Sequence, residues 1–472
     1  CRLARDGAAR HGACKATGQA TSRPPPLPHP ALRGAESMDK IVVAGGQPLS
    51  GSIATSGAKN AALPIVIATL LAPGEHRLTN LPELVDVSST LSLLGRIGCP
   101  SLLGESSTRI DTSRIAFSEA PYDVVRKMRA SVLVLGPLLA RHGECKVSLP
   151  GGCAIGVRPI DQHLKGLEAL GARFELSGGY VHGYADGLVG AEIQLDMPTV
   201  TGTENILMAA TLAEGTSVIH NAAREPEIVD LASFLRSLGA DIQGDGTATI
   251  TVHGVPRLTP ASRPYRILPD RIEAGTYLCA AAVAGGEVTV TDVNPQDLLP
   301  VVMKLREAGC SVEIGDHEVT CRRDGPLQAI HVDTQPHPGF PTDMQAQLMA
   351  VAAIARGTSQ FRENIFENRY MHAAEMLRMG ARIDVQGRVA TVTGVERLTG
   401  AQVMASDLRA SAALVLSGLA AEGITEVLRI YHLDRGYENL VGKLRGVGAH
   451  VGRVSDDVTD RAALQRAAVA AG

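Results

Sequence analysis

The sequence predicts an α/β fold of two domains, helices inside and sheets outside, built from six repeats of about 70 residues, three per domain. Three observations predict it. An apolar helix ending in glycine before a β-rich run recurs at Gly74, Gly143, Gly215, Gly286, Gly357 and Gly423, at spacings of 69, 72, 71, 71 and 66. A one-sided helix ending in Gly-Ala or Gly-Cys recurs at Gly98, Gly171, Gly239, Gly309, Gly380 and Gly448, at spacings of 73, 68, 70, 71 and 68. The first helix of each unit is apolar nearly all round, which places it inside a domain.

Taken in order, the chain opens with a segment lacking any hydrophobic period. Residues 1–37 are rich in Arg, Ala, Gly and Pro and cannot bury enough surface to offset their ordering entropy. They read as a disordered N-terminal extension. Their Arg-rich, acid-poor composition is that of a transit peptide, but the prolines and the missing amphipathic period argue against targeting. Met38-Asp39-Lys40 reads as a native start, and the chain upstream, which opens on Cys1, as a truncated or over-extended reading frame. The buried helices are NAALPIVIATLLA, ASVLVLGPLLA, ENILMAATLA, AGTYLCAAAVA, MQAQLMAVAAIA and ASAALVLSGLA. The surface helices carry one apolar stripe, as in IVDLASFLRSLGA (228–240). Six units exceed what one core holds, so they divide three and three. The seam falls near Arg257 to Pro269, where Pro256, Pro260, Pro264 and Pro269 cluster. The first domain is 59–267, the second 38–58 plus 268–455, and 456–472 form a C-terminal tail.

Composition excludes several classes of function. A formal net charge of −4 gives no basic field for nucleic acid, and 3% aromatic residues with no Trp give no stacking platform. The longest apolar runs, such as Ala61 to Ala72, are too short to span a bilayer. The eight cysteines are scattered, without CxxC or another metal-ligand spacing, and read as reduced thiols of a cytoplasmic protein without metal.

One stretch carries most of the chemistry. A β-type run, Lys146 to Leu149, feeds a loop holding Gly151, Gly152, Cys153 and Gly156. The loop ends at Arg158-Pro159, and a helix follows with Pro159 near its first position. Glycines permit close approach of backbone to ligand, and a helix N-terminus beside an arginine attracts phosphate. A thiol among these features suggests chemistry on a phosphorylated substrate. A plain surface turn with a half-buried cysteine is the alternative.

The buried helices also begin at or near polar residues: Lys59-Asn60, Arg129, Glu204-Asn205, Asp270-Arg271-Glu273, Asp343 and Arg409. If these N-termini face an interdomain gap, the gap gains helix dipoles, Lys and Arg, which suits a ligand with several phosphate charges. Ordinary capping and interdomain salt bridges are the alternative.

The motifs SGAKNAALP (56–64), MRAS (128–131), LPGGCAIGVRPIDQH (149–163), NAAREPEIVD (221–230), LPDRIEAGT (268–276), PGFPTDMQAQ (338–347), FENRYMH (366–372), MASDLRASAALVL (404–416) and IYHLDRGYE (430–438) lie in every unit. Through them the chain from Met38 to about Val454 closely resembles the enolpyruvyl transferases that act on UDP-N-acetylglucosamine, the 1-carboxyvinyltransferases that open peptidoglycan synthesis. The resemblance implies two inside-out α/β barrels with a cleft between them. It implies transfer of enolpyruvyl from phosphoenolpyruvate to the 3-hydroxyl of the nucleotide sugar, with release of phosphate and without metal or organic cofactor. The expected partners are these two substrates, with neither nucleic acid nor membrane.

Carried over residue by residue, the resemblance makes Cys153 the general acid for the methylene carbon of phosphoenolpyruvate. Lys59, Arg158 and Arg435 hold that substrate's anionic groups, with Arg129 and Arg409 nearby. Asp343 takes the proton of the sugar hydroxyl, and Asn60 contacts the sugar and phosphoenolpyruvate. Arg158, Pro159, Ile160, Asp161 and Gln162 grip the uridine and diphosphate. Pro198, Thr199, Val200, Thr201 and Ile365 complete that pocket. Arg369 and Asp407 match cleft positions without an assigned role. The chain departs from some relatives at Val85, where they carry Lys, and in detail at 198–201. Both departures bear on affinity. The rivals are transfer to shikimate 3-phosphate, which the Cys153 loop and the RPIDQH run disfavour, and a non-catalytic paralogue that binds UDP-sugar.

An unperturbed thiol, with a pKa of about 8.5, still holds its proton near neutral pH, as an enol-protonating acid must. Cys153→Asp is therefore expected to stay active, because a carboxylic acid also delivers a proton. Cys153→Ala is expected to lose roughly 10²–10⁴-fold in turnover, the usual contribution of general acid catalysis. Steady-state phosphate release from the two variants checks this, and full activity in the Ala variant would remove the acid role.

Overall fold

A helix that is apolar on every side must be covered on every side, and in this chain sheets and other helices cover it. The computed structural model describes residues 39–104, 106–120, 122, 129–149 and 159–469, with residue 129 described for its backbone alone. Six apolar helices follow one another along the chain: α1 (Lys59–Ala68), α2 (Leu135–His142), α3 (Val200–Ala210), α4 (Arg271–Ala284), α5 (Gln345–Ala353) and α6 (Leu408–Leu419). In α4 every residue from Ile272 to Val283 is buried. The sheets are mixed: the described residues form six four-stranded sheets and one two-stranded sheet. In one of them Thr216–His220 runs parallel to Glu192–Gln194 and antiparallel to Thr249–His253, with Ile219 facing Ile250. Ser217 and Ile219 are buried while Thr216, Val218 and His220 are not, so one face meets the core and a one-residue slip would expose it. The fold is therefore α/β, as the sequence predicts. All twelve glycines that mark the sequence period have positive φ, between 77° and 139°, a backbone region that favours glycine over residues with a Cβ.

The buried apolar residues fall into two clusters. One runs from Ala58 to Ile267. The other joins Ile41, Val43, Leu49 and Ile53 to residues from Ile272 to Val451. The early strands enter this second cluster by pairing: Val43 faces Thr425 antiparallel, and Leu49–Ala54 runs parallel to Gly286–Thr291. α4, α5 and α6 pack on one another in it, while α2 packs on α3 in the first.

The chain passes between the clusters at 56–58 and again at 268–270, and the two passages are bonded together. The Ala58 amide donates to Leu268 O and the Asp270 amide to Ser56 O, both at 2.8 Å. Gly57 is required here, since a Cβ on it would lie 1.8 Å from the carbonyl oxygen of Asn80. Asp230 anchors the second passage, accepting from the Tyr265 hydroxyl at 2.7 Å and the Leu268 amide at 3.2 Å.

Two local expectations change. The run ASVLVLGPLLA is not one α-helix: Arg129–Val134 is a 3₁₀ turn and the α-helix starts at Leu135. Pro137 has no N–H to continue the ladder, and the Asn205 amide braces the irregular turn, accepting from Gly136 N at 2.7 Å and donating to Val132 O at 3.1 Å. The segment expected as a tail carries a helix, Arg461–Val469, whose Leu464 and Ala468 are buried. Their i, i+4 spacing puts both on one face, and Arg445 bonds Ala467 O at 2.8 Å.

Burial pushes the Asp230 carboxyl up to about 6, against the lowering effect of its two hydrogen bonds. A raised folded-state value means that the native protein holds a proton the unfolded chain has released. Stability is then expected to fall as pH rises from about 4 to about 6, on the order of 2 kcal/mol. Urea unfolding of Asp230→Asn against wild type checks this, the variant losing that slope.

Candidate active site

The site residues expected from sequence fall into three sets. Cys153 and Arg158 lie outside the described residues, as does the side chain of Arg129. The flanking elements are described: the strand Glu144–Ser148 and the helix Asp161–Ala169. That helix starts two residues after Pro159, with Asp161 in its first turn, where the helix dipole favours a carboxylate.

The second set pairs residues 159–162 with 198–201. Pro159 is exposed and Ile160 half-buried just ahead of the helix. Gln162 donates to Asp196 Oδ2 at 2.8 Å and accepts from the Asp196 amide at 2.9 Å. His163 Nε2 lies 3.1 Å from Thr201 Oγ1, and its Nδ1 lies 3.0 Å from the Asn205 amide. Thr199 caps α3 through the Gly202 amide at 3.3 Å, with Val200 the first helical residue and Pro198 exposed ahead of it. These contacts bring the two runs to one place.

The third set is a charge cluster joining the two halves of the molecule. Lys59 opens α1, Asp343 sits in the 3₁₀ turn Thr342–Met344 before α5, and Arg409 lies in the first turn of α6. Asp343 accepts from Arg369 at 2.8 Å on one oxygen and from Arg409 at 3.1 Å on the other. Burial alone would raise the Asp343 carboxyl, but Arg409, Arg369 and Lys59 overcome it and hold it well below the usual carboxylate range. Burial lowers the Lys59 ammonium below the ordinary lysine value, with Arg409 and Arg435 acting the same way and Asp86 and Asp343 opposing. Arg435 reaches Asp86 at 2.8 and 3.3 Å, and Lys59 Nζ lies 3.6 Å from the same carboxylate. Lys59, Arg369, Arg409 and Arg435 thus gather around the carboxylates of Asp343 and Asp86, and a cluster of fixed cations suits an anionic ligand.

Other expected residues take plainer places. Asn60 is half-buried beside Lys59. Asp407 caps α6, accepting from the Arg409 and Ala410 amides at 2.8 and 3.0 Å. Ile365 is half-buried, and its amide donates to Glu363 at 2.9 Å. Glu204 and Asn205, expected to line a gap, are 1% and 0% exposed. Burial, then Glu227 and Glu225, raise the Glu204 carboxyl well above its ordinary value, while Asn205 braces its neighbours.

Sequence reasoning missed Asp86 and the contacts Glu227–Arg271 at 3.1 Å and His337 amide to Glu225 at 3.4 Å. Asp86 stands beside the departure at Val85, but nothing local says that it meets a residue 349 positions away. Among the described residues no group of three or more His, Cys, Asp or Glu is placed to hold a metal ion, and no helix is long and apolar enough to cross a membrane.

The model of the EPSP synthase (3-phosphoshikimate 1-carboxyvinyltransferase) family matches residues 43–444. The UDP-N-acetylglucosamine 1-carboxyvinyltransferase of Trichlorobacter lovleyi is 55% identical over 422 residues, 89% of this chain and 100% of that one. The enzyme of the same name from Nitratidesulfovibrio vulgaris is 56% identical over 420 residues, with the same coverage. Among solved structures, the enolpyruvyl transferase NikO from Streptomyces tendae matches at a TM-score of 0.79 and 26% identity, over 89% of this chain and 99% of that one. An EPSP synthase from Acinetobacter baumannii matches at 0.69 and 17%, over 88% of this chain and 100% of that one, which shows a shared fold.

Arg409→Met removes one of the two arginine partners of half-buried Asp343. The expected cost is about 1–2 kcal/mol in urea unfolding, and Asp343→Asn in the same chain should recover part of it. Additive losses in the double variant would show that the pair is not coupled.

Proposed function

Because the chain belongs to the UDP-N-acetylglucosamine 1-carboxyvinyltransferases, within the wider EPSP synthase family, we propose that it transfers enolpyruvyl from phosphoenolpyruvate to the 3-hydroxyl of UDP-N-acetylglucosamine in the cytoplasm, releasing phosphate at the first committed step of peptidoglycan synthesis. The observation that carries the reading is the cluster of Lys59, Arg369, Arg409 and Arg435 around the carboxylates of Asp86 and Asp343. A substrate bearing phosphate and carboxylate needs several fixed cations, and Arg offers a bidentate fork.

In this reading Cys153 protonates the methylene carbon of phosphoenolpyruvate while the sugar hydroxyl oxygen bonds to the adjacent carbon. Phosphate then leaves as a proton of the new methyl group returns to the Cys153 thiolate, which restores the double bond. Lys59, Arg158 and Arg435 hold the phosphate and carboxylate, with Arg129 beside them. Asp343, held ionised by its arginines, accepts the hydrogen bond of the sugar hydroxyl and takes its proton as the carbon–oxygen bond forms, and Asn60 contacts the sugar. The runs Pro159–Gln162 and Pro198–Thr201, joined through His163 and Asp196, grip the nucleotide together with Ile365. The fold reading is two inside-out barrels of three repeats each, 59–267 and 38–58 plus 268–455. The two core clusters and the twelve positive-φ glycines support it.

The test is phosphate release from phosphoenolpyruvate with UDP-N-acetylglucosamine beside a shikimate 3-phosphate control. Release with the nucleotide sugar alone is expected. Release only with shikimate 3-phosphate overturns the acceptor, and release with neither, despite nucleotide-sugar binding, overturns catalysis.

A further inference from the structure

Resting on the proposed transfer, we propose that Asp86 is a positioning residue whose buried carboxylate sets the spacing between Lys59 and Arg435, the two cations that receive phosphoenolpyruvate. Asp86 is 4% exposed and sits in the first turn of the helix Val85–Ile97, which belongs with the first core cluster. Arg435 comes from the 3₁₀ turn Ile430–Arg435, whose Ile430 and Leu433 belong to the second. Both Asp86 oxygens engage the guanidinium, at 2.8 and 3.3 Å, and one of them also lies 3.6 Å from Lys59 Nζ. A two-point pair fixes the guanidinium in plane as well as in distance, so one buried carboxylate orients one cation and anchors the other.

The charge balance around Lys59 makes this more than a staple between two halves. The charged groups acting on its ammonium are Asp86, Arg409, Asp343 and Arg435, and its backbone amide faces Asp270 at 3.4 Å. Burial and the two arginines favour loss of its proton, while Asp86, followed by Asp343, opposes it. Without Asp86 the ammonium releases its proton at lower pH and Arg435 loses its fixed plane. A staple alone would change stability and leave both untouched.

The experiment uses the full chain with Asp86→Asn and Asp86→Glu. Competitive acetylation of Lys59 across pH, read by mass spectrometry, reports its titration whether or not the protein turns over. The midpoint is expected about one unit or more lower in the Asn variant, as for loss of an adjacent opposite charge, and unmoved in the Glu variant, which keeps the charge. KM for phosphoenolpyruvate is expected to rise at least about tenfold in the Asn variant, the effect of losing one charge-assisted hydrogen bond. It should rise severalfold in the Glu variant, whose longer arm alters the spacing, while KM for the nucleotide sugar holds. An unmoved Lys59 midpoint in the Asn variant, or an unmoved KM for phosphoenolpyruvate in either, overturns the proposal. If the Asn variant does not fold, the Glu variant decides by its KM. A wild type that releases no phosphate sinks the transfer itself, and the acetylation result still decides what Asp86 does to Lys59.

Discussion

Like charges repel most strongly where water is scarce, and this protein gathers four cations, two of them buried and two half-buried, in one cluster. Asp343 between Arg369 and Arg409, and Asp86 between Lys59 and Arg435, are the two carboxylates that make the gathering tolerable. Each carboxylate is shared by two cations, an arrangement in which an anionic ligand is favoured. Removing either carboxylate leaves buried charge unmatched. The ligand, in the proposed reaction, brings further negative charge to these cations.

The buried helices serve this arrangement. The apolar helices are buried in the two core clusters, and Lys59, Asp343 and Arg409, at or just before the starts of α1, α5 and α6, meet charged partners. Lys59, Asp343 and Arg409 come to the cluster because each begins, or lies just before, such a helix. The helix dipoles add to the positive field at the same ends. The two paired passages at 56–58 and 268–270 hold the halves in register close to Lys59, whose amide faces the Asp270 cap.

Capping and binding compete for the same residue types, and the structure separates them. Asp407 and Thr199 serve as caps, and Asn205 serves as a brace for the turn that Gly136 and Pro137 force. Asp343 is different: its oxygens accept from arginine side chains instead of the amides of its own helix. A residue of the right type at a helix start is thus a candidate for either role, and the partner atoms decide.

By itself the sequence determined the α/β class, the buried apolar helices and the twelve positive-φ glycine positions. Apolar periodicity and backbone conformation are local properties, written into each short stretch. The motifs named Lys59, Asp343, Arg369, Arg409 and Arg435, yet said nothing of which would pair. The helix at Arg461–Val469 carries only a short apolar pair, Leu464 and Ala468, and its burial depends on packing against Asp39–Ala44, at the other end of the folded chain. Only the tertiary structure decided that Asp86 meets Arg435 across 349 residues and that Glu204 and Asn205 turn inward. Coulomb energy depends on distance and burial, and neither exists until the chain has folded.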